Sequence, residues 1–162
     1  VILLDVFGIS AGFVLRAVGG AAAIDVPVSA WLYACTGLGA LFIALGKRRG
    51  ELAVAGERAP LQREALTHYS VEYLDRLIGL VAVGVVVAYV LYAFTADNLP
   101  RNHTMLITVP FVAYGVFRYT HLVYRRGLGE SPEDIVVTDV PLVVSILSWL
   151  ATAGTILVVF RT

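Results

Sequence analysis

The sequence predicts an all-α membrane protein, a polytopic bundle of transmembrane helices. Of its 162 residues, 59% are hydrophobic and 15% are charged, whereas soluble domains average about 45–50% apolar and about 25% charged residues. Three stretches without a charged residue, 26–46, 77–96 and 140–160, each reach the roughly 20 residues that a helix needs to cross a bilayer. They are too long, and alternate too little, for strands of a membrane barrel. These observations exclude a disordered chain and an ordinary soluble domain.

Five spanning helices are predicted, two of which contain charged residues. The first is apolar apart from Asp5 and Arg16, and the fourth continues an uncharged stretch through Arg118. A tight turn at 25–27 separates the first two helices, and a short connection at 96–102, with Asn and Pro as helix breakers, separates the third from the fourth. We therefore expect helices over about 1–24, 27–46, 76–96, 103–124 and 139–160.

The two long connections, about 47–75 and 125–138, are expected on one face of the membrane, because consecutive helices reverse direction. Most Lys and Arg residues lie in or beside these connections, and basic loops stay in the cytoplasm. The sequence thus predicts a multi-pass protein of the inner (plasma) membrane with both long loops in the cytoplasm. Since residue 1 already lies in an apolar run without a Met or a basic lead, we expect the chain to be the C-terminal part of a longer membrane protein.

Charge and cysteine content exclude several kinds of function. Twelve Lys and Arg residues balance twelve Asp and Glu residues, so the net positive charge typical of a nucleic-acid-binding protein is absent, and no nucleic acid is expected as a partner. Cys35 is the only cysteine, which excludes an intrachain disulfide and a cysteine-based zinc site.

Charged residues inside the predicted helices are candidates for function. Asp5 and Arg16 are eleven residues apart, about three helical turns, and so face one side of the first helix. Ionised groups in a membrane segment are costly and often functional. We prefer this interpretation for Arg16, whereas for Asp5 a structural ion pair explains the residue equally well. Arg118 lies deeper than the Arg residues at the end of its helix and is harder to explain as a topology signal.

The segment 46–52, Gly-Lys-Arg-Arg-Gly-Glu-Leu, ends the second predicted helix. Basic residues there satisfy the positive-inside rule and the helix dipole. They also suit phosphate, because arginine forms a two-pronged contact and lysine adds a point charge. Composition alone favours the topology signal. A short amphipathic helix is predicted over 60–73, with Tyr69 on its apolar face, and we interpret it as an interfacial helix.

Four strings resemble the UbiA prenyltransferase superfamily and, within it, the decaprenyl-phosphate phosphoribosyltransferase branch. They are GFVLRAVGGA at 12–21, VSAW at 28–31, LGKRRGEL at 45–52 and YRRG at 124–127. The resemblance extends over essentially the whole chain. It implies nine transmembrane helices around a central cavity that opens to the cytoplasm, of which the five predicted here correspond to the last five. The missing N-terminal helices of the same protein are then expected as a partner.

Members of that superfamily hold Mg²⁺ with two acidic motifs, and this chain departs from the second. The first motif, Asn-Asp-x-x-Asp-x-x-x-Asp, is expected upstream of the chain. At the location of the second, the chain has 46–51 with Glu51 as the only acid. This departure argues against prenyl transfer to an aromatic acceptor and fits a branch in which cations face phosphate.

The resemblance implies a transferase that moves a 5-phosphoribosyl group from phosphoribosyl pyrophosphate to a polyprenyl phosphate, with Mg²⁺ as cofactor, in the synthesis of cell-wall arabinan precursors. It implies Lys47, Arg48 and Glu51 as catalytic residues. The residues that it implies for binding substrate phosphate are Arg16, Lys47, Arg48, Arg49, Tyr69 and Arg118. The metal ligands are expected upstream, and the chain alone is therefore expected to be inactive.

Two other functions stay open at this point. One is a UbiA-type prenyltransferase that acts on an aromatic or lipid acceptor, and the other is half of a membrane transporter. A second Asp motif would favour the first, and internal repeats would favour the second. The sequence shows neither feature.

Overall fold

The structure, a computed structural model, describes residues 3–23, 29–58, 70–96, 99–126 and 131–160. Every regular element in these ranges is helical. The elements are α1 (Leu4–Ala23), α2 (Ala30–Arg58), α3 (Val71–Thr95), a 3₁₀ helix (Thr104–Thr108), α4 (Val109–Arg126), α5 (Pro132–Thr138) and α6 (Val140–Val159).

Five helical segments in the described ranges are long and apolar enough to cross a membrane. They are Leu4–Ala23, Ala30–Ala53, Val71–Thr95, Thr104–Arg125 and Val140–Val159. The prediction of an all-α polytopic bundle is thereby confirmed, and the chain is an integral membrane protein.

The second helix continues beyond its predicted end. We predicted an end near residue 46, where the charge-free stretch stops, but α2 extends to Arg58. The segment after residue 46 is rich in Lys, Arg, Glu, Leu and Ala, which favour helix, and it contains no proline before Pro60. A charge-free stretch marks only the part of a helix that is suited to lipid, so it underestimates a helix that continues into water.

The long predicted loops are also partly helical. The short helix α5 occupies part of the predicted loop at 125–138. The first long loop ends at α3, where the hydroxyl of the N-cap Ser70 accepts a hydrogen bond from the backbone N–H of Tyr73 at 3.1 Å. Most of the predicted interfacial helix at 60–73 lies outside the described residues.

The predicted fourth helix begins as a 3₁₀ helix and becomes α-helical only at Val109. Pro110 follows in the first turn of α4, where its missing N–H leaves no hydrogen bond unmade. His103 precedes the 3₁₀ helix with a φ of 56°, a left-handed conformation in which His is enriched. Its ring stacks on Phe94, with the ring centroids 4.5 Å apart.

The helices pack largely in chain order, with α1 against α2, α2 against α3, α3 against α4 and α4 against α6. One core cluster lies mainly between α2, α3 and α4, and its most buried members on these three helices are Leu45, Leu74, Ile78, Leu122 and Val123. A second cluster surrounds Tyr89, whose hydroxyl accepts a hydrogen bond from Trp149 Nε1 at 2.7 Å and lies 2.6 Å from Thr108 Oγ1. The polar groups of this second cluster are thus paired inside the bundle, as a membrane protein requires.

Gly46 allows a close approach between α2 and α4. A Cβ atom built on Gly46 would lie 2.8 Å from the hydroxyl oxygen of Tyr119 and 3.2 Å from its Cε1. Tyr119 is buried, and its ring packs against Phe42 with the centroids 5.1 Å apart. Because side-chain atoms do not approach that closely, the packing of this tyrosine on α2 depends on a residue without a Cβ.

One end of the bundle carries the ion pairs that join different helices, and we call it the charged end. It contains the N-terminal ends of α1, α3 and α6 and the C-terminal parts of α2 and α4. The residues that define it are Asp5, Arg48, Arg49, Asp75, Arg118 and Asp139.

Candidate functional site

A cavity of about 460 Å³ lies between α1 and α2. Its α2 wall is a single helix face, because its lining positions recur every three or four residues. Lys47, Arg48 and Glu51 line the cavity at the charged end. Away from them, the lining is apolar except for Cys35 and Thr36, and it comprises Val6, Ile9, Phe13, Gly39, Ala40, Ile43 and Ala44. The cavity therefore suits a ligand that has an anionic head and an apolar body.

Arg48 is held by two acids from two helices. Its Nη1 donates to Glu51 Oε2 at 2.6 Å, three residues further along α2. Its Nη2 donates to Asp5 Oδ2 of α1. The Arg48 side chain is only 16% exposed and that of Glu51 26%, so the contact between them lies in a partly desolvated position, where charge-assisted hydrogen bonds are stronger than at an open surface. The guanidinium is thereby fixed at the wall of the cavity.

Lys47 also lines the cavity but is exposed. No acid in the described part of the chain forms an ion pair with it. An ammonium group in this position attracts an anion without first losing a protein partner. Lys47 and Arg48 therefore combine an exposed point charge with a fixed, planar donor group.

The structure turns Arg49 away from the cavity. Successive residues of a helix point about 100° apart, so three consecutive basic residues cannot share one face. Arg49 Nε donates to Asp75 Oδ1 at 2.8 Å, and Nη1 donates to the backbone oxygen of Val123 at 2.9 Å. Its guanidinium also lies 5.8 Å from the centroid of the Tyr124 ring. Arg49, implied as a phosphate ligand, is buried here and joins α2 to α3 and α4.

Arg118 likewise forms a structural pair. Its Nε and Nη2 donate to the two carboxylate oxygens of Asp139 at 3.0 and 2.8 Å. Asp139 Oδ1 also accepts from the backbone N–H of Leu142 at 3.1 Å and so caps α6. This two-pronged contact joins α4 to α6, and Arg118 does not line the cavity between α1 and α2. Its depth in the fourth helix is explained by the matching position of the acid.

The structure does not bring Arg16 to the charged end. Arg16 is exposed on α1, and its guanidinium carbon lies 5.7 Å from the centroid of the Phe13 ring. The eleven residues between Asp5 and Arg16 correspond to about 16 Å of helix, so Arg16 lies far from Lys47 and Arg48. Tyr69, the remaining residue implied for phosphate, lies outside the described residues.

Asp5, which the implied site left out, contacts Arg48 at the wall of the cavity. Its position in an apolar stretch was a signal, but the sequence could not distinguish a structural pair from a functional one. The partner became evident only with the antiparallel packing of α1 on α2, in which Ser10 Oγ donates to the backbone oxygen of Gly37 at 2.7 Å. That register places the start of α1 beside Arg48.

A second cavity, of about 400 Å³, lies among α2, α3, α4 and α6. Its lining is almost wholly apolar and includes Tyr89, Phe111 and Trp149. Gly39 and Ile43 of α2 line both cavities. The apolar part of the first cavity and the second cavity therefore adjoin across one stripe of α2.

The relatives that resemble this chain share one protein name. The chain is 32% identical over 161 residues to the decaprenyl-phosphate phosphoribosyltransferase of Mycolicibacterium smegmatis, a match that covers 94% of this chain and 50% of the relative. It is 32% identical over 152 residues to the protein of the same name from Mycobacterium tuberculosis, again with 94% and 50% covered. For the Corynebacterium glutamicum protein of that name, the identity is 30% over 154 residues, with 91% and 45% covered.

The chain spans about half the length of these relatives. No family model matches it. The resemblance that the strings around Arg16 and Lys47 indicated is nevertheless confirmed, because the similarity covers more than nine tenths of this chain in each of the three relatives. Over more than nine tenths of its length, the chain is similar to proteins named decaprenyl-phosphate phosphoribosyltransferase.

Proposed function

We propose that this chain forms part of a membrane transferase that moves a 5-phosphoribosyl group from phosphoribosyl pyrophosphate to a polyprenyl phosphate. The observation that carries the proposal is the 30–32% identity to relatives that bear this name. The product would serve as a precursor of cell-wall arabinan. The similarity does not favour a prenyltransferase with an aromatic acceptor or half of a transporter, and neither is proposed.

The reaction requires cationic groups where phosphate charge accumulates. An oxygen of the lipid phosphate attacks C1 of the ribose, the bond from C1 to the pyrophosphate oxygen breaks, and pyrophosphate leaves with the bonding electrons. Fixed positive groups in a partly dry site stabilise such a leaving anion. Lys47 and Arg48 at the charged end of the cavity fit this role, with Glu51 orienting the guanidinium.

The apolar part of the cavity supports a lipid substrate. A polyprenyl phosphate has one anionic head and a long apolar chain, which is the distribution found between Lys47 at one end of the cavity and Phe13 further along it. The second cavity adjoins the first at Gly39 and Ile43 and offers further apolar surface. We propose that the phosphate lies at the charged end and that the prenyl chain follows α2 toward the centre of the bundle.

The orientation in the membrane follows from the basic residues. We propose that the charged end faces the cytoplasm of an inner-membrane protein, because Lys47, Arg48, Arg49 and Arg125 lie there. Phosphoribosyl pyrophosphate is a charged, water-soluble donor and would reach the cavity from that side. A protease-protection or cysteine-labelling experiment on the segment after α2 tests this orientation.

The described residues do not by themselves fit a Mg²⁺ site. No group of three or more His, Cys, Asp or Glu side chains that could hold a metal ion occurs among them. Asp5 and Glu51, the acids nearest the cavity, are both engaged by Arg48. The Mg²⁺ expected from the resemblance therefore stays a prediction, and its ligands would have to lie outside the described residues.

The test of the proposed function is a transfer assay with the full-length protein in detergent or liposomes. Phosphoribosyl pyrophosphate labelled in the ribose is supplied with decaprenyl phosphate, and the organic phase is analysed for labelled lipid. We expect a labelled lipid phosphate that releases ribose 5-phosphate on mild acid hydrolysis. Labelled ribose that stays in the aqueous phase, with no label in the lipid, would contradict the proposal.

A further inference from the structure

Asp5 reaches from α1 to the guanidinium that lines the cavity on α2. Its carboxylate accepts from Arg48 Nη2, while Arg48 Nη1 donates to Glu51 at 2.6 Å. Asp5 is 41% exposed, and it is not among the lining residues of the cavity. It can therefore affect a ligand in the cavity through Arg48 rather than by direct contact.

Asp5 and Glu51 engage only some of the N–H donors of Arg48. A guanidinium has five N–H donors in a rigid plane, and the two acids engage only its two terminal nitrogens. Because Arg48 lines the cavity, the remaining donors are available to a ligand there. Phosphate oxygens match such a planar donor set.

The two acids differ in what they fix. Glu51 lies on the same helix as Arg48, three residues away, so it restrains the side chain only relative to α2. Asp5 lies on α1, which forms the opposite wall of the cavity. A long arginine side chain loses considerable rotamer freedom when it binds a ligand. A contact that holds it against both walls beforehand reduces that loss on binding.

We propose that Asp5 is a positioning residue for phosphate recognition: it holds the guanidinium of Arg48 between α1 and α2 so that the remaining donors face the cavity. The identity of the ligand, the head of a polyprenyl phosphate or the pyrophosphate of the donor, rests on the proposed function. The chemistry of recognition is the same for both, a phosphate group that accepts from Arg48.

The experiment measures phosphate binding to the full-length protein and to variants at Asp5. Farnesyl phosphate represents the lipid head and inorganic pyrophosphate represents the donor, each titrated by calorimetry in detergent. We expect Asp5→Ala to raise the Kd of one or both probes roughly tenfold. Asp5→Asn should have a smaller effect, since its amide oxygen still accepts from Arg48. The probe whose Kd changes identifies which phosphate Arg48 binds.

A double-variant comparison separates positioning from general stability. In an Arg48→Ala background, Asp5→Ala should cause no further loss of affinity, because its effect acts through that guanidinium. The matched control is Asp75→Ala, which removes the equivalent carboxylate from the neighbouring Arg49 on α2. We expect this control to lower the melting temperature but to change the Kd of either probe by less than about twofold.

Several results would overturn the inference. Unchanged or tighter binding in both Asp5→Ala and Asp5→Asn would mean that the acid is neutral or competes with phosphate. An equal loss with and without Arg48 would mean that Asp5 acts by another route. If Asp5→Ala does not fold, the Kd values of the two probes are compared between Asp5→Asn and Arg48→Ala instead, and an unchanged Kd in Asp5→Asn beside a raised Kd in Arg48→Ala would overturn the inference. A wild-type protein that binds phosphate through this pair but transfers no ribose refutes the proposed function and leaves the inference standing.

Discussion

Individual residues of one short basic segment differ in their partners although they are adjacent in sequence. Lys47 and Arg48 line the cavity, whereas Arg49 is buried against Asp75 and the backbone of Val123. The helical angle of about 100° per residue predicts that the three diverge. It does not predict which of them faces the cavity, because that depends on how α2 is rotated against α1 and α3.

The first prediction concerns the two cavity residues. In the full-length protein, Lys47→Ala or Arg48→Ala should lower kcat/KM for phosphoribosyl transfer roughly 30- to 1000-fold. This factor corresponds to a loss of about 2–4 kcal/mol of transition-state stabilisation. The control is Arg58→Ala at the last residue of α2, about 10 Å further along the helix axis than Glu51. Its activity should stay near wild type at matched expression. Equal activities in all three variants would mean that the basic segment is only a topology signal.

The second prediction concerns Arg49. Arg49→Ala removes the partner of Asp75 and leaves the carbonyl oxygen of Val123 without its donor. We expect a loss of about 2–3 kcal/mol in the free energy of unfolding, because both contacts are charge-assisted and partly buried. Thermal unfolding in detergent measures this effect, with the exposed Arg125→Ala as control. A variant as stable as the control would show that the pair contributes little to the fold.

How far the sequence predicts the charged residues depends on where their partners lie. Arg16, Arg49 and Arg118 were all implied as phosphate ligands, and none of them lines the cavity between α1 and α2. Arg49 and Arg118 each pair instead with an acid outside their own helix, Arg49 with Asp75 and Arg118 with Asp139. Such pairs are separated by 26 and 21 positions in the chain, and only the helix packing brings them together.

At the scale of the elements, the sequence predicts the spanning helices but not where each helix ends. A long charge-free stretch is sufficient to predict a spanning helix, and all five predicted spans correspond to helical segments. The same rule ended α2 near residue 46, although the helix continues to Arg58. The end of an apolar stretch marks where lipid ends, whereas the end of a helix depends on local propensity and on breakers such as Pro60.

The third prediction tests the contact between α2 and α4. Gly46→Ala places a methyl group at 2.8 Å from the hydroxyl oxygen of buried Tyr119, so the tyrosine must move or the helices must separate. We expect a loss of about 1–3 kcal/mol in the free energy of unfolding, as for other overpacked cores. The matched control is Gly154→Ala on α6, where a Cβ would meet nothing within 4 Å.

Thermal unfolding of the two glycine variants distinguishes packing from helix propensity. Alanine favours helix over glycine at both positions by about 1 kcal/mol, so Gly154→Ala should be neutral or slightly stabilising. A Gly46→Ala variant that is as stable as Gly154→Ala would show that Tyr119 relocates at no cost. Helix propensity would then account for both results without any close approach.

At the scale of the whole molecule, α1 has the least complete surroundings among the spanning helices described. It packs mainly on α2, and large apolar side chains remain exposed along it, including Leu4 at 63%, Phe7 at 54% and Leu15 at 70%. Lipid covers such a surface as well as protein does. The chain also spans only about half the length of its relatives, and in a protein of their length this exposed face of α1 would leave room for further helices beside the cavity.

The last prediction is that the 162-residue chain has no transferase activity by itself. The cavity is lined by α1 and α2, and no cluster that could hold a metal ion occurs in the described ranges. The transfer needs two phosphate-bearing substrates in one site, with charge stabilised on the leaving pyrophosphate. The described residues supply cationic groups at Lys47 and Arg48, but they contain no cluster of acids that could hold a divalent cation.

The measurement compares the purified chain with a full-length relative in the same assay, at equal molar concentration and with Mg²⁺ present. We expect no labelled lipid above background from the chain alone. Farnesyl phosphate should still bind to it, more weakly than to the full-length protein, because Lys47 and Arg48 lie on the same helix face and need only α1 opposite them. Turnover near that of the full-length relative would contradict the prediction, since the residues of this chain would then suffice for both substrates. Binding without turnover would place the missing contribution at the chemical step rather than at recognition of the lipid head.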